Sequence, residues 1–132
     1  MELGKIFVLL VMVSTVLSFP VFAETPCEIL SEMNKPYEKG DRQKAIDIGK
    51  KIEEIERFGK DKCTRSVYAT IATCYMLMGI DENKAGNFKK AAEYFKFASK
   101  YNRAFALSID CFETGDCTKS KELWSKYLWM YE

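Results

Sequence analysis

After Pro36 the chain contains no proline, and no stretch rich in serine or glycine interrupts it. Such a backbone is free to be helical almost throughout, because proline is the residue that removes a helix hydrogen bond and clashes with the preceding turn. The apolar residues follow the same rule. They recur at intervals of three and four, which places them on one face of a helix. Ile29, Leu30 and Met33 mark a first short helix from Cys27 to about Lys35. Ala45, Ile48, Ile52 and Ile55 mark a second from Arg42 to about Phe58, with Lys50/Glu54 and Glu53/Arg57 paired four apart on its wet side. Val67, Ile71, Cys74, Tyr75 and Met78 form the seam of a third, which Asp61 or Thr64 can cap, and Asn87 can cap a fourth from Phe88 to about Tyr101. Two more helices, about Arg103 to Phe112 and Thr118 to Tyr131, are joined at Glu113-Thr114-Gly115-Asp116.

The expected fold class is therefore all-α. Six helices paired across their turns make about three antiparallel hairpins, spanning about 27–58, 64–101 and 103–131 of one domain, 24–132. Gly40, Gly86 and Gly115 sit at the turns, where a residue free to take positive φ ends one helix and lets the next begin. Their spacings, 46 and 29 residues, make the hairpins irregular and not copies of one unit.

The first 23 residues read differently. Met1 to Lys5 carries one lysine, Ile6 to Leu17 is an almost unbroken apolar run, and Val21 and Ala23 are spaced as at a cleavage site for an exported chain. Residues 1–23 are expected to be a secretory signal peptide. The apolar run is short of the roughly 20 residues that span a bilayer, so no stable membrane insertion is expected once it is removed. An uncleaved anchor is the alternative. The protein is then expected in the periplasm or outside the cell.

Charge excludes more than it selects. With 20 basic residues against 19 acidic ones and no basic tail, the chain has no field to recruit nucleic acid or an anionic membrane. It has no histidine. That removes the usual general base near neutral pH and the commonest metal ligand, so neither an enzyme, a metal site nor a cofactor is expected.

The stretch from Thr73 to Asn102 carries a resemblance. Tyr75, Met78, Gly79, Gly86, Phe88, Ala91, Phe95 and Ala98 stand at the offsets where tetratricopeptide (TPR) repeats place a large residue, a Leu-Gly-like pair, a turn glycine, alternating aromatics and alanines. The flanking hairpins keep less of the pattern: Gly40 and Ala45 match, but Gly49 stands where an aromatic belongs, and Gly115 and Trp124 match whereas Ser120 replaces alanine. The chain also resembles Sel1-like repeats, whose period is longer and more variable. Either resemblance implies a short right-handed α-solenoid that binds another protein or peptide.

Five cysteines are many for a chain of 132 residues, and an exported chain meets oxidising conditions. In the hairpin arrangement Cys27 and Cys63 lie at neighbouring helix ends, and Cys111 and Cys117 flank the last turn. Bridges Cys27–Cys63 and Cys111–Cys117 are the candidates, with Cys74 left as a free thiol on the third helix. Closing the loop between Cys27 and Cys63 is worth roughly 3–4 kcal/mol in the chain-entropy account. Mixed or free thiols are the alternative. Thiol-redox catalysis is a further reading, but no pair has the C-x-x-C spacing that lowers a thiol pKa.

In solenoids of this kind the first helix of each hairpin lines a groove. The resemblance places partner contacts at Asn34 and Tyr37, at Met76, Ile80 and Asn83, and at Phe105, Ile109 and Phe112. These are apolar and aromatic residues with amides, suited to an extended segment or helix of an envelope protein. The basic residues by which relatives clamp a terminal carboxylate are missing from most of these positions. A second expectation rests on the aromatic C-terminal helix. There Leu123, Tyr127 and Met130 can form a seam, and Trp124 or Trp129 can present an edge for self-association or for assembly as a structural subunit.

Overall fold

The computed structural model describes residues 24–55, 61–118, 121, 122 and 125. The expected signal segment, 1–23, lies outside the described residues, as does most of the expected helix 118–131, including Trp124 and Trp129.

Every element among the described residues is a helix. Helix α1 is Pro26–Glu38, α2 Arg42–Gly49, α3 Ile52–Ile55, α4 Lys62–Lys84 and α5 Phe88–Thr114. Their starts follow from local chemistry. Thr25 accepts a hydrogen bond from the Glu28 amide, with Pro26 in the first helical position, where its missing N–H costs nothing. Asp41 accepts from the Lys44 amide and Asp61 from the Cys63 amide, so both acidic caps satisfy a donor that the helix itself leaves free. Gly40, Gly86 and Gly115 all take positive φ, of 81°, 84° and 72°.

Helix α4 is the centre. It packs against α1, α2 and α5, and α5 runs antiparallel to it. Ile29 and Met33 of α1, Ala45 and Ile46 of α2, Ile52 of α3, Val67, Tyr68, Ile71 and Cys74 of α4 and Tyr101 and Ala104 of α5 close one continuous core. A fully buried side chain of this size contributes about 1.5–3 kcal/mol. Arg42 at the start of α2 forms an ion pair with Asp81 near the end of α4. No described helix is long and apolar enough to cross a membrane.

Three expected boundaries are corrected. The break between residues 101 and 103 is absent: α5 is one helix of 27 residues, and the expected third hairpin loses its separate first helix. Burial at Ala91, Ala98, Tyr101, Ala104, Ser108 and Cys111 keeps a three-or-four spacing straight through Asn102, so packing carries the helix past a residue of poor propensity. It ends only at Gly115.

The expected second helix is interrupted after Gly49 and resumes at Ile52; its expected end near Phe58 lies outside the described residues. The buried side of this segment is Ala45, Ile46, Gly49 and Ile52, with Ile48 half-buried and Ile55 43% exposed. Gly49 lies at a crowded point where a Cβ would meet the Met33 Cε methyl at 2.6 Å and Ile71 Cγ1 at 2.9 Å. Helix α1, finally, continues through Pro36 to Glu38, with Pro36 itself buried.

Candidate interaction surface

The antiparallel pairing of α4 and α5 determines what the flanks of this hairpin carry. On one flank Tyr75 stacks on Phe97 and Tyr101, with centroids 5.1 and 5.9 Å apart, and the Lys50 ammonium lies 5.7 Å from the Tyr75 ring centre. The Tyr101 hydroxyl donates to Glu53 Oε1 at 2.5 Å, joining α5 to α3. Burial, with the Glu53 carboxylate beside it, holds the Tyr101 phenol well above its ordinary pKa. This flank is closed.

Among the described residues, the other flank is open. Helix α4 carries no charged residue from Ser66 to Ile80, and its outward side shows Ala69, Thr73, Met76 and Ile80 at helical spacing. On α5, Phe95 lies over Gly79 with 37% of its surface exposed, and Phe112 is 49% exposed. The Arg65 guanidinium lies 4.0 Å from the centre of the Phe112 ring, and its Nε is covered without a hydrogen-bond partner among the described residues. Arg65 thus covers one face of the ring and leaves an edge for contact.

Six of the eight expected groove residues lie on this hairpin. Met76 is 42% exposed, Asn83 is exposed, and Ile80 is half-buried beside them on α4. Phe105 and Ile109 are half-buried, Phe105 is packed on the core, and Phe112 is at the far end of α5. They do not share one pocket. Because α5 runs unbroken, Phe112 lies opposite Arg65, which is about 16 Å along α4 from Met76 at 1.5 Å per residue. The surface is an extended strip. Asn34 and Tyr37 belong to α1, both half-buried, with Tyr37 packed against the core. Trp124 and Trp129 lie outside the described residues.

Cys27 and Cys63 form a disulfide with Cα atoms 5.0 Å apart, and Cys111 and Cys117 form a second with Cα atoms 4.7 Å apart. The first ties the start of α1 to the start of α4, and the second pins the chain back onto the last turn of α5. Cys74 is free and buried, and burial pushes its thiol up to about 11. A thiol so held stays protonated near neutral pH and is a poor nucleophile. Cys27, Asp61 and Cys63 are the one trio with metal-ligand reach among the described residues, yet the two sulfurs are bonded to each other and offer no thiolate.

The Arg65–Phe112 contact and the Phe95 ring over Gly79 were not found from sequence. The signal for the second was present: a glycine inside a helix with no turn to make marks close approach of another chain segment. The first had none, since forty-six positions separate its partners and only the length of α5 brings them together.

Compared with known proteins, the chain matches no family model, no curated protein and no solved structure.

Proposed function

We propose that the protein is an exported binding scaffold, built like a short TPR-like or Sel1-like solenoid, which takes up a peptide or helix of another protein along the open α4–α5 flank. The observation that carries this reading is the outward side of α4: fifteen residues, Ser66 to Ile80, run without a charge, although part of that surface faces solvent. A solvated helix face ordinarily carries charge, and an uncharged strip bordered by half-exposed Met76, Phe95 and Phe112 suits an apolar partner segment. The close approach of α5 at Gly79, with Ala91 and Ala98 buried below Phe95, supports the repeat resemblance. Two disulfides suit an oxidising compartment such as the periplasm or the extracellular space. The activity proposed is binding, not catalysis.

The test is site-specific crosslinking in the native host, with a photoreactive residue at Met76 and a control at exposed Lys44. A partner crosslinked from Met76 and not from Lys44, and lost in an Ile80→Glu variant that keeps the Cys74 thiol protected, supports the reading. Equal crosslinking from both positions, or none above background from Met76, overturns it.

A further inference from the structure

The corner between α1 and α2 holds a cleft of about 390 Å³, built from elements that the α4–α5 strip does not use. We infer that this cleft binds a phosphate-type dianion, free or carried on a small organic molecule. The site is separate from the partner reading, and either can fail without the other.

The turn at Gly40 builds the corner. With φ of 81° at Gly40, the Lys39 and Asp41 amides both donate to the Pro36 carbonyl, at 3.2 and 2.9 Å, and the Gly40 amide donates to the Tyr37 carbonyl at 3.1 Å. Carbonyls at the negative end of α1, which would repel an anion if left free, are thereby engaged. Lys35 in the last turn of α1, Lys39 just after it and Lys44 on α2 line the cleft, all exposed and in no ion pair among the described residues.

The carboxylates of the cleft leave this charge in excess. Glu32 pairs with Lys51 at 3.6 Å, and Asp41 Oδ1 accepts from the Lys44 amide at 3.2 Å. Glu28, Glu38 and Asp47, the other carboxylates of α1 and α2, do not line the cleft. With Glu32 balanced by Lys51, three ammonium groups stand against the Asp41 carboxylate, an excess of two positive charges. A phosphate dianion matches it. Lysine suits such a ligand, because its ammonium is a compact point charge on a flexible stem, whereas the planar fork of arginine is the better match to a carboxylate. The floor is apolar, with Pro36 buried and Ile48 half-buried, so the carbon skeleton of a carried group has a surface to rest on. The cleft is of small-molecule size and larger than a bare oxyanion fills.

The probes are inorganic phosphate and glucose 6-phosphate, titrated calorimetrically into the protein at constant ionic strength with chloride as the reference anion. Saturable binding of at least one is expected. Lys35→Gln with Lys44→Gln should weaken it about tenfold or more, whereas Lys84→Gln with Lys89→Gln, an equal change of charge beside the Gly86 turn, should leave it within about twofold. All four lysines are exposed, so both variants are expected to keep the helical fold, which circular dichroism checks. Tighter binding of glucose 6-phosphate supports a carried group resting on the floor, and equal affinities support the free ion. No saturable binding of either probe, or equal weakening by the two pairs of substitutions, overturns the inference. So does an oligoglutamate peptide that binds tighter than both probes, which would make the cleft a site for an acidic protein segment.

Discussion

Gly79 lies directly beneath Phe95, so that a Cβ on the glycine would come within 2.6 Å of the Phe95 ring. Gly49 is crowded to the same distance, by the Met33 methyl, but the consequences differ because the neighbours differ. The Phe95 ring is partly in solvent and can swing out, whereas Met33 and Ile71 are fully buried. Gly79→Ala gains about 1 kcal/mol of helix propensity against the loss of the ring contact, and is expected to change stability by less than about 1 kcal/mol. Gly49→Ala overpacks the core and should cost about 1–3 kcal/mol. Urea unfolding of both variants checks the order, and equal losses would sink the distinction.

Asn102 is exposed in the middle of α5. Proline there removes a helix hydrogen bond and clashes with the preceding turn, so Asn102→Pro is expected to cost about 3 kcal/mol or more. Were the chain to turn at this point, as the sequence pattern suggests, the substitution would be nearly silent. Thermal unfolding by circular dichroism separates the two.

The disulfides should contribute unequally. Cys27 and Cys63 are 36 residues apart and Cys111 and Cys117 are 6 apart. In the chain-entropy account the first closure is worth about 3–4 kcal/mol and the second about 2 kcal/mol. Paired replacement by alanine, followed by denaturant unfolding, measures each. A larger loss from the Cys111/Cys117 pair would show that its contribution comes from positioning the chain and not from loop closure.

Tyr101 should titrate late. The folded protein holds the phenol proton more tightly than the unfolded chain, so the stabilisation from this group is complete below the ordinary value of 10.0 and is lost as pH rises above it. Ultraviolet titration should show one tyrosine that ionises only with unfolding, and Tyr101→Phe should abolish that phase. At neutral pH the variant loses the bond to Glu53, at about 1–2 kcal/mol. Early ionisation of every tyrosine in the native protein would contradict this placement.

Cys74 should be silent to thiol reagents. It is fully buried and its thiol is pushed up to about 11, so the native protein is expected to release no reactive thiol at neutral pH and one after denaturation. A thiol titration with and without guanidinium is sufficient. Rapid labelling of the native protein would place Cys74 at the surface.

The helical class and the three glycine turns were legible in the sequence. Those properties are local: Gly40, Gly86 and Gly115 supply positive φ, Asp41 and Asp61 cap the helices that follow them, and the three-and-four spacing of Val67, Ile71 and Cys74 records which side of α4 is buried. Helix continuity was decided elsewhere. Asn102 looks like a boundary in a sequence window, yet Tyr101 and Ala104 are both buried against neighbouring helices, and this burial outweighs the few tenths of a kcal/mol of propensity that separate asparagine from a good helix former. Conversely Arg42 to Ile55 looks unbroken, yet the helix stops at Gly49, where Met33 and Ile71 leave no room for a Cβ. These choices depend on residues distant in sequence. Only the tertiary structure shows that an unbroken α5 spreads Met76 and Phe112 along a strip and does not gather them into a pocket.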